Sequence, residues 1–150
     1  MKKLVLFLTM AFVVFAGHAN NKEQEKQAIE KVIQTAYVDG LQNIGNLEEI
    51  KNGFHPGFKL LGVNDNNMLT KFPIYSWIES FKERKEKNPD GRPEEEKITC
   101  QYKSIDVTGN AAMAKIELYQ KGKKLFTDYL QLYKFEEGWK IVSKIYYRHK

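Results

Sequence analysis

Hydrophobic residues in the N-terminal half of the chain recur at the spacing of amphipathic helices. Over residues 23–44 they return every three or four positions, which predicts a first helix. The Asn46 side chain can accept a free backbone N–H, so it can begin a short second helix over residues 47–52. A third helix is predicted after Pro73, because apolar residues share one helical face at Ile74, Trp77, Ile78 and Phe81.

The rest of the chain alternates between apolar and polar residues, which is typical of β-strands. Two strands, 54–63 and 68–72, flank a turn of polar residues, and Pro56-Gly57 predicts an irregularity in the first of them. A breaker-rich loop over residues 88–93 precedes a long antiparallel meander, whose strands are predicted over 98–107, 111–120, 125–136 and 139–148. A change of parity near Lys103-Ser104 predicts a β-bulge.

The last hairpin determines which side chains of the sheet share a face. If Glu137-Gly138 is a two-residue turn, Asp128 lies on the inner face, together with Leu130, Leu132, Ile141, Ser143 and Ile145. Lys115, Lys140 and Lys144 then fall on the outer face. An even-numbered loop over residues 121–124 would put Asp128 opposite the face of Ala112, Ala114 and Ile116, so the register of the preceding hairpin stays open.

Helices followed by a meander predict an α+β fold, in which a curved antiparallel sheet wraps around the N-terminal helices as a cone-like half-barrel. The run FHPGFKLLG at residues 54–62 and the ending at residues 128–145 resemble the "putative lumazine-binding" (SnoaL-like) branch of the nuclear transport factor 2-like superfamily. The resemblance covers about residues 23–147. It implies the cone fold but no single activity, because the superfamily includes ketosteroid isomerases, dehydratases, cyclases, binding modules and scaffolds.

The N-terminus has the three parts of an export signal. Lys2-Lys3 is basic, residues 4–16 are apolar apart from one threonine, and Gly17-His18-Ala19 offers small residues before a cut. The apolar run is shorter than a spanning helix needs. We therefore expect a signal peptide over residues 1–19, and a single exported domain over 20–150 that is periplasmic or secreted and not membrane-bound after cleavage.

Composition narrows the function classes. The formal net charge is +5, and removal of Lys2 and Lys3 leaves 22 basic against 19 acidic residues, which is too mild a balance to predict nucleic-acid binding. A single cysteine and few histidines offer no metal-ligand set, and nucleotide-binding motifs are missing from the sequence. We therefore expect neither a metal nor a cofactor.

An apolar hollow with a few polar groups is the default ligand site of such a fold. Asp128 is the first candidate for a general base or hydrogen-bonding group, although a strand aspartate can also be a solvated partner of a lysine. His55 is the second candidate, and its alternative interpretation is a ring that fixes the Pro56-Gly57 irregularity. Cys100 alternates with apolar neighbours, so it is interpreted as a small buried hydrophobe.

Four aromatic residues are candidates for ligand contact: Tyr37, Trp77, Phe81 and Tyr119. Tyr37 or Tyr119 would also suit a hydrogen-bond donor to a developing oxyanion. The alternative for aromatic residues on helical stripes is that they only form core.

The first hypothesis for function is non-catalytic binding of a small apolar or aromatic molecule. The alternative is an isomerase-, dehydratase- or cyclase-like enzyme in which Asp128 or His55 moves a proton, and a ligand-free interaction module is the third possibility. The predicted outer face carries Tyr129, Tyr133, Phe135, Val142 and Tyr146, which predicts a homodimer through the sheet.

Overall fold

The computed structural model describes residues 21–150, which form three helices and one sheet. The predicted signal peptide and its cleavage site lie outside the described residues. Helix α1 covers residues 21–42, and its second part, Ile33–Gln42, is wound as a π-helix. Helix α2 covers Leu47–Gly53 and α3 covers Ile74–Lys87. Within the described residues, no helix has the length and hydropathy needed to cross a membrane.

Six strands form one curved, unclosed sheet in the order β2-β1-β6-β5-β4-β3. Neighbouring strands are antiparallel except β1 and β6, which pair in parallel. The predicted α+β cone-like fold is therefore confirmed, with the sheet mixed instead of wholly antiparallel. The strands are β1 Phe54–Val63, β2 Leu69–Pro73, β3 Ile98–Thr108, β4 Ala111–Gln120, β5 Lys123–Phe135 and β6 Gly138–Arg148.

Three local predictions are confirmed. The Asn46 side chain accepts the backbone N–H of Glu48 and caps α2. The pairing of β1 with β6 shifts register between Phe54 and Lys59, around the Pro56-Gly57 irregularity. The pairing of β3 with β4 shifts beside Lys103, where the change of parity predicts a bulge.

Helix α1 packs its apolar stripe on the concave, inner face of the sheet. The C-terminal end of α1 is held by the side chain of Asn43. This side chain donates to the backbone carbonyl of Ile98 and accepts the backbone N–H of Ile98. The largest fully buried side chains join the helices to β1, β4, β5 and β6; they include Tyr37, Phe58, Phe81, Ile33, Leu41, Ile116, Leu130 and Ile141. The hollow of the cone is thus largely filled by core side chains.

The inner face of β6 differs from the predicted alternation. Leu132 pairs with Ile141, but the preceding residue, Gln131, pairs with Ser143, so Val142 is an extra residue in β6. A bulge of this kind changes the parity of every residue that follows it. Beyond Val142 the inner positions therefore belong to Lys144 and Tyr146, and the expected inner residues Ser143 and Ile145 face outward.

The open question about Asp128 is resolved by the pairing on both sides of β5. Asp128 pairs with Ile116 of β4 and with Tyr146 of β6, and its side chain is fully buried on the inner face. The predicted inner position of Asp128 is therefore correct, whereas the predicted outer positions of Lys144 and Tyr146 are wrong because of the Val142 bulge.

Candidate functional site

Three polar side chains from three different elements meet inside the cone. The Tyr37 hydroxyl in the π-helical part of α1 donates to Asp128 Oδ2 over 2.6 Å. Lys144 Nζ from β6 lies 2.9 Å from the same carboxylate oxygen and donates to the Tyr37 hydroxyl oxygen over 2.7 Å. These three residues, called the polar triad below, are joined by a hydrogen bond or ion pair at every edge.

The polar triad is almost completely removed from solvent. Tyr37 and Asp128 have no exposed surface, and Lys144 is 4% exposed. Buried charges are uncommon unless they are paired, because the protein interior solvates them poorly. Here the ammonium and the carboxylate satisfy each other, and the tyrosine hydroxyl bridges them.

Aromatic rings surround the Lys144 ammonium. Nζ lies 4.9 Å from the ring centre of Tyr37, 5.1 Å from Tyr146, 5.7 Å from Trp77 and 6.0 Å from Phe126. A cation is attracted to the face of an aromatic ring at these distances. The four rings, called the aromatic box below, thus hold the ammonium on the sides that the polar triad leaves open.

Burial shifts the acidity of two members of the polar triad. Desolvation lowers the pKa of Lys144, and the neighbouring Asp128 carboxylate opposes this effect. Desolvation and the Asp128 charge both raise the pKa of Tyr37 well above its ordinary value. Tyr37 is therefore a proton donor at neutral pH, and Lys144 gives up its proton more readily than an exposed lysine.

One oxygen of the polar triad has an unused hydrogen-bonding capacity. Asp128 Oδ1 is buried and has no hydrogen-bond partner among residues 21–150. Leaving a buried carboxylate oxygen unpaired is costly, so native structures usually provide it with a donor. An N–H or O–H group placed beside Asp128 Oδ1 would satisfy this oxygen.

Two clefts lie next to the aromatic box. Phe126 lines a cleft of about 710 Å³ together with Gln120, Leu125 and basic residues at the chain end, and Tyr146 lines a second cleft of about 630 Å³ next to Leu61. Tyr146 is 43% exposed although its ring also contacts the Lys144 ammonium. The buried lysine is thus separated from an open cleft by one aromatic ring.

The structure places the predicted site residues in two groups. Tyr37, Trp77 and Asp128 come together, since Trp77 packs against Tyr37 with a centroid distance of 5.8 Å. His55 lies elsewhere: its Nδ1 accepts the backbone N–H of Gly57, and its ring stacks on Phe135. Phe135 is seven positions from Asp128 along β5, or about 23 Å. His55 therefore lies beside the Pro56-Gly57 irregularity, where its ring accepts one backbone N–H.

Phe81 and Tyr119 are also outside the polar triad and the aromatic box. Phe81 is a buried core residue that borders a separate cleft near Gly45. Tyr119 lies on the outer face of β4, where its hydroxyl donates to Glu117. Burial raises the pKa of Cys100 to about 12, so its thiol is protonated and a poor nucleophile. Within residues 21–150, histidine, cysteine and acidic side chains form no group of three that could hold a metal ion.

Sequence reasoning missed Lys144, Tyr146 and Phe126. The available signal was weak, because Lys144 is one of two lysines in β6 and follows the polar Ser143. Simple alternation assigned it to solvent, and only the bulge at Val142 turns it inward.

A family model described as "Putative lumazine-binding" matches residues 24–147 of the chain. Among curated proteins, a relative from Cladobotryum sp. named "Aldolase FrzH" is 30% identical over 123 residues, which cover 80% of this chain and 90% of that protein.

Similar solved structures share the fold. An NTF2-like protein of unknown function from Shewanella baltica OS155 is 30% identical with a TM-score of 0.65, covering 85% of this chain and 95% of that one. Another, from Silicibacter pomeroyi DSS-3, is 21% identical with a TM-score of 0.66, covering 85% and 98%.

The polar triad predicts a strong coupling between Asp128 and Lys144. Either single substitution, Asp128→Leu or Lys144→Met, leaves a buried charge without a partner. It should lower the free energy of unfolding by about 3–5 kcal/mol. The double variant removes both charges, so it should lose clearly less than the sum of the single losses in urea unfolding at neutral pH. Lys71→Met, on the exposed strand β2, is the control and should change stability by less than about 0.5 kcal/mol. Additive losses would contradict the coupling.

Proposed function

Because this chain belongs to the "putative lumazine-binding" family of NTF2-like proteins, we propose that it binds a small organic molecule at the polar triad and the aromatic box. The molecule has an apolar or aromatic body and at least one hydrogen-bonding group. The observation that carries this proposal is the buried Asp128 Oδ1, an acceptor that the described residues leave without a donor.

The energetics of the polar triad support a role beyond stability. Removing an ammonium and a carboxylate from water costs several kcal/mol each, and apolar replacements of such pairs are often equally or more stable. A core of this size has no need of an ion pair for packing. Its presence next to an unpaired acceptor is better explained by a ligand that uses these groups.

The aromatic box supplies the complementary apolar surface. Trp77 is half-buried and packs on Tyr37, Phe54 and Phe58, so its ring is held in one orientation. Phe126 and Tyr146 meet edge to face with centroids 5.9 Å apart and border the two clefts. Rigid aromatic walls with a few polar groups are the usual design of small-molecule sites.

Catalysis at the same site is the second candidate. The relative named "Aldolase FrzH" is 30% identical over most of its length, and the polar triad holds a carboxylate, a protonated phenol and an amine in direct contact. Such a set can remove a proton beside a carbonyl and stabilise the oxyanion that results. An isomerase-, dehydratase-, cyclase- or aldol-type step would use Asp128 as base and Tyr37 as donor.

Binding is tested by titration calorimetry with 2-naphthalenemethanol, which has an aromatic body and one hydroxyl group. Trp77→Ala removes a wall of the aromatic box and should weaken binding about tenfold. Trp139→Ala is the matched control, because Trp139 donates to Glu25 away from the polar triad, and it should leave the affinity unchanged. Equal losses in both variants, or no heat of binding to the unaltered chain, would count against the proposal.

We also propose that the protein is exported. The support is the pattern of residues 1–19, with its basic start, apolar run and small residues at the end. Protein recovered from the extracytoplasmic fraction of the native host should have the intact mass of a chain that begins at Asn20. A full-length mass found in the cytoplasm would refute export.

A homodimer through the outer face of the sheet is proposed as well. Exposed apolar side chains lie on adjacent strands there: Met113 is 48% exposed, Tyr133 is 49% and Ile145 is 52%. Met113, Tyr133 and Val142 border a shallow groove of about 340 Å³. Several exposed apolar side chains on one face of a sheet are typical of interfaces. On this outer face of the sheet, Ile145 occupies the position that the sequence alone assigned to Tyr146.

Light scattering over a concentration series tests the dimer. The double variant Tyr133→Glu and Ile145→Glu should scatter as one chain, since it places charges in the apolar patch. Tyr75→Glu, at an exposed aromatic position of α3, is the control and should keep the dimer mass. A mass of one chain for the unaltered protein at every concentration would exclude the dimer.

A further inference from the structure

We propose that the Lys144 amine binds its ligand covalently, by forming a reversible iminium with the carbonyl carbon of an aldehyde or ketone. The inference rests on the proposed small-molecule site and names its ligand class, a carbonyl compound with an apolar or aromatic body. It adds a bond between protein and ligand that binding alone does not require.

The environment of Lys144 Nζ favours a reactive amine. An amine is a nucleophile only when it is unprotonated, and lysines become reactive when apolar surroundings disfavour the ammonium form. Lys144 is the buried lysine among residues 21–150, and the four rings of the aromatic box lie within 6.0 Å of its Nζ. Its desolvation lowers its pKa, as described above.

Groups that can transfer protons lie on both sides of Lys144 Nζ. Asp128 Oδ2 lies 2.9 Å from Nζ, where it can accept the proton that the ammonium must lose. The Tyr37 hydroxyl lies 2.7 Å from Nζ and can donate to an oxygen that develops next to the new bond. Iminium formation needs a base and an acid beside the amine, and both are in place before any ligand arrives.

A ligand can reach Lys144 Nζ from the cleft that Tyr146 lines. Tyr146 contacts the Lys144 ammonium on one side and lines the 630 Å³ cleft on the other. Rotation of this one exposed ring would open a path from the cleft to Nζ. A ligand whose aromatic body replaces Tyr146 in the aromatic box would bring its carbonyl carbon to the amine.

The reaction balances without an external oxidant or reductant. The ammonium gives one proton to Asp128, and the free amine attacks the carbonyl carbon, so that a C–N bond forms and the C=O π pair moves to oxygen. Tyr37 donates a proton to that oxygen and regains one from the nitrogen, which gives a neutral carbinolamine. The proton held by Asp128 then protonates the hydroxyl group, which leaves as water while the nitrogen lone pair forms the C=N bond of the iminium.

The test traps the iminium with sodium cyanoborohydride in the presence of 2-naphthaldehyde at pH 7, followed by digestion and mass spectrometry. Hydride transfer to the iminium carbon leaves a stable secondary amine at the modified lysine. Lys144 should be modified at least about tenfold faster than the exposed Lys71 and Lys87 of the same sample, because a base and an acid beside the amine accelerate proton transfer by that factor or more. Its modification rate should also level off at a lower pH than is usual for a lysine, because burial lowers its pKa.

Three variants and one comparison ligand complete the design. Lys144→Arg keeps a cation that cannot form an iminium, and total labelling should fall to the level of the exposed lysines. Tyr37→Phe should slow labelling at residue 144, because the carbonyl oxygen loses its proton donor, whereas Tyr75→Phe, on the exposed surface of α3, should not. The alcohol 2-naphthalenemethanol has the same aromatic body but no carbonyl group.

The outcomes separate the two proposals. Preferential labelling of Lys144 supports both of them. If the alcohol binds the unaltered chain but the aldehyde labels Lys144 no faster than Lys71, the covalent inference is overturned and the binding site stands. If neither compound binds and Lys144 is not labelled, the proposed small-molecule site itself is overturned. Labelling in the unaltered chain decides the matter even if a variant fails to fold.

Discussion

The structure depends on one constraint: an ammonium and a carboxylate that are both removed from water must stay in contact. If Asp128 and Lys144 separated by even one strand position, each would be a buried charge without a partner. Strands β5 and β6 must therefore keep their register, and α1 must present Tyr37 to both groups. The position of the first helix on the last hairpin follows from this requirement as much as from apolar packing.

Two irregular segments satisfy that constraint. The Val142 bulge turns Lys144 onto the face that Asp128 already occupies, and the π-helical segment of α1 carries Tyr37. Irregular segments of both kinds are found preferentially next to functional sites, because they reorient side chains that regular geometry would place elsewhere. The regular helices and strands supply the apolar side chains around the site. The bulge and the π-helical segment orient its polar side chains.

Much of the fold and part of the site could be predicted from the sequence, because the spacing of apolar residues indicates helices and strands directly. It identified Tyr37 and Trp77 on inward helical stripes and Asp128 on the inner face of β5. It failed at Lys144, since the residues around the Val142 bulge fit simple alternation, whereas a change of parity marks the bulge beside Lys103. His55 stacks on Phe135, a residue far away in the sequence, and such a contact has no local signature. Tyr119 lies beside Glu117 on the outer face of β4, as the alternation of that strand requires.

The parallel pairing of β1 with β6 has a consequence for how the protein folds. The strand that carries Lys144 lies between β5 and β1, and Tyr37 is 107 residues away from Lys144. Contacts between such distant segments close late and slowly, because a long loop must first be ordered. The site therefore forms late in folding, when the strand that carries Lys144 has been placed between β5 and β1.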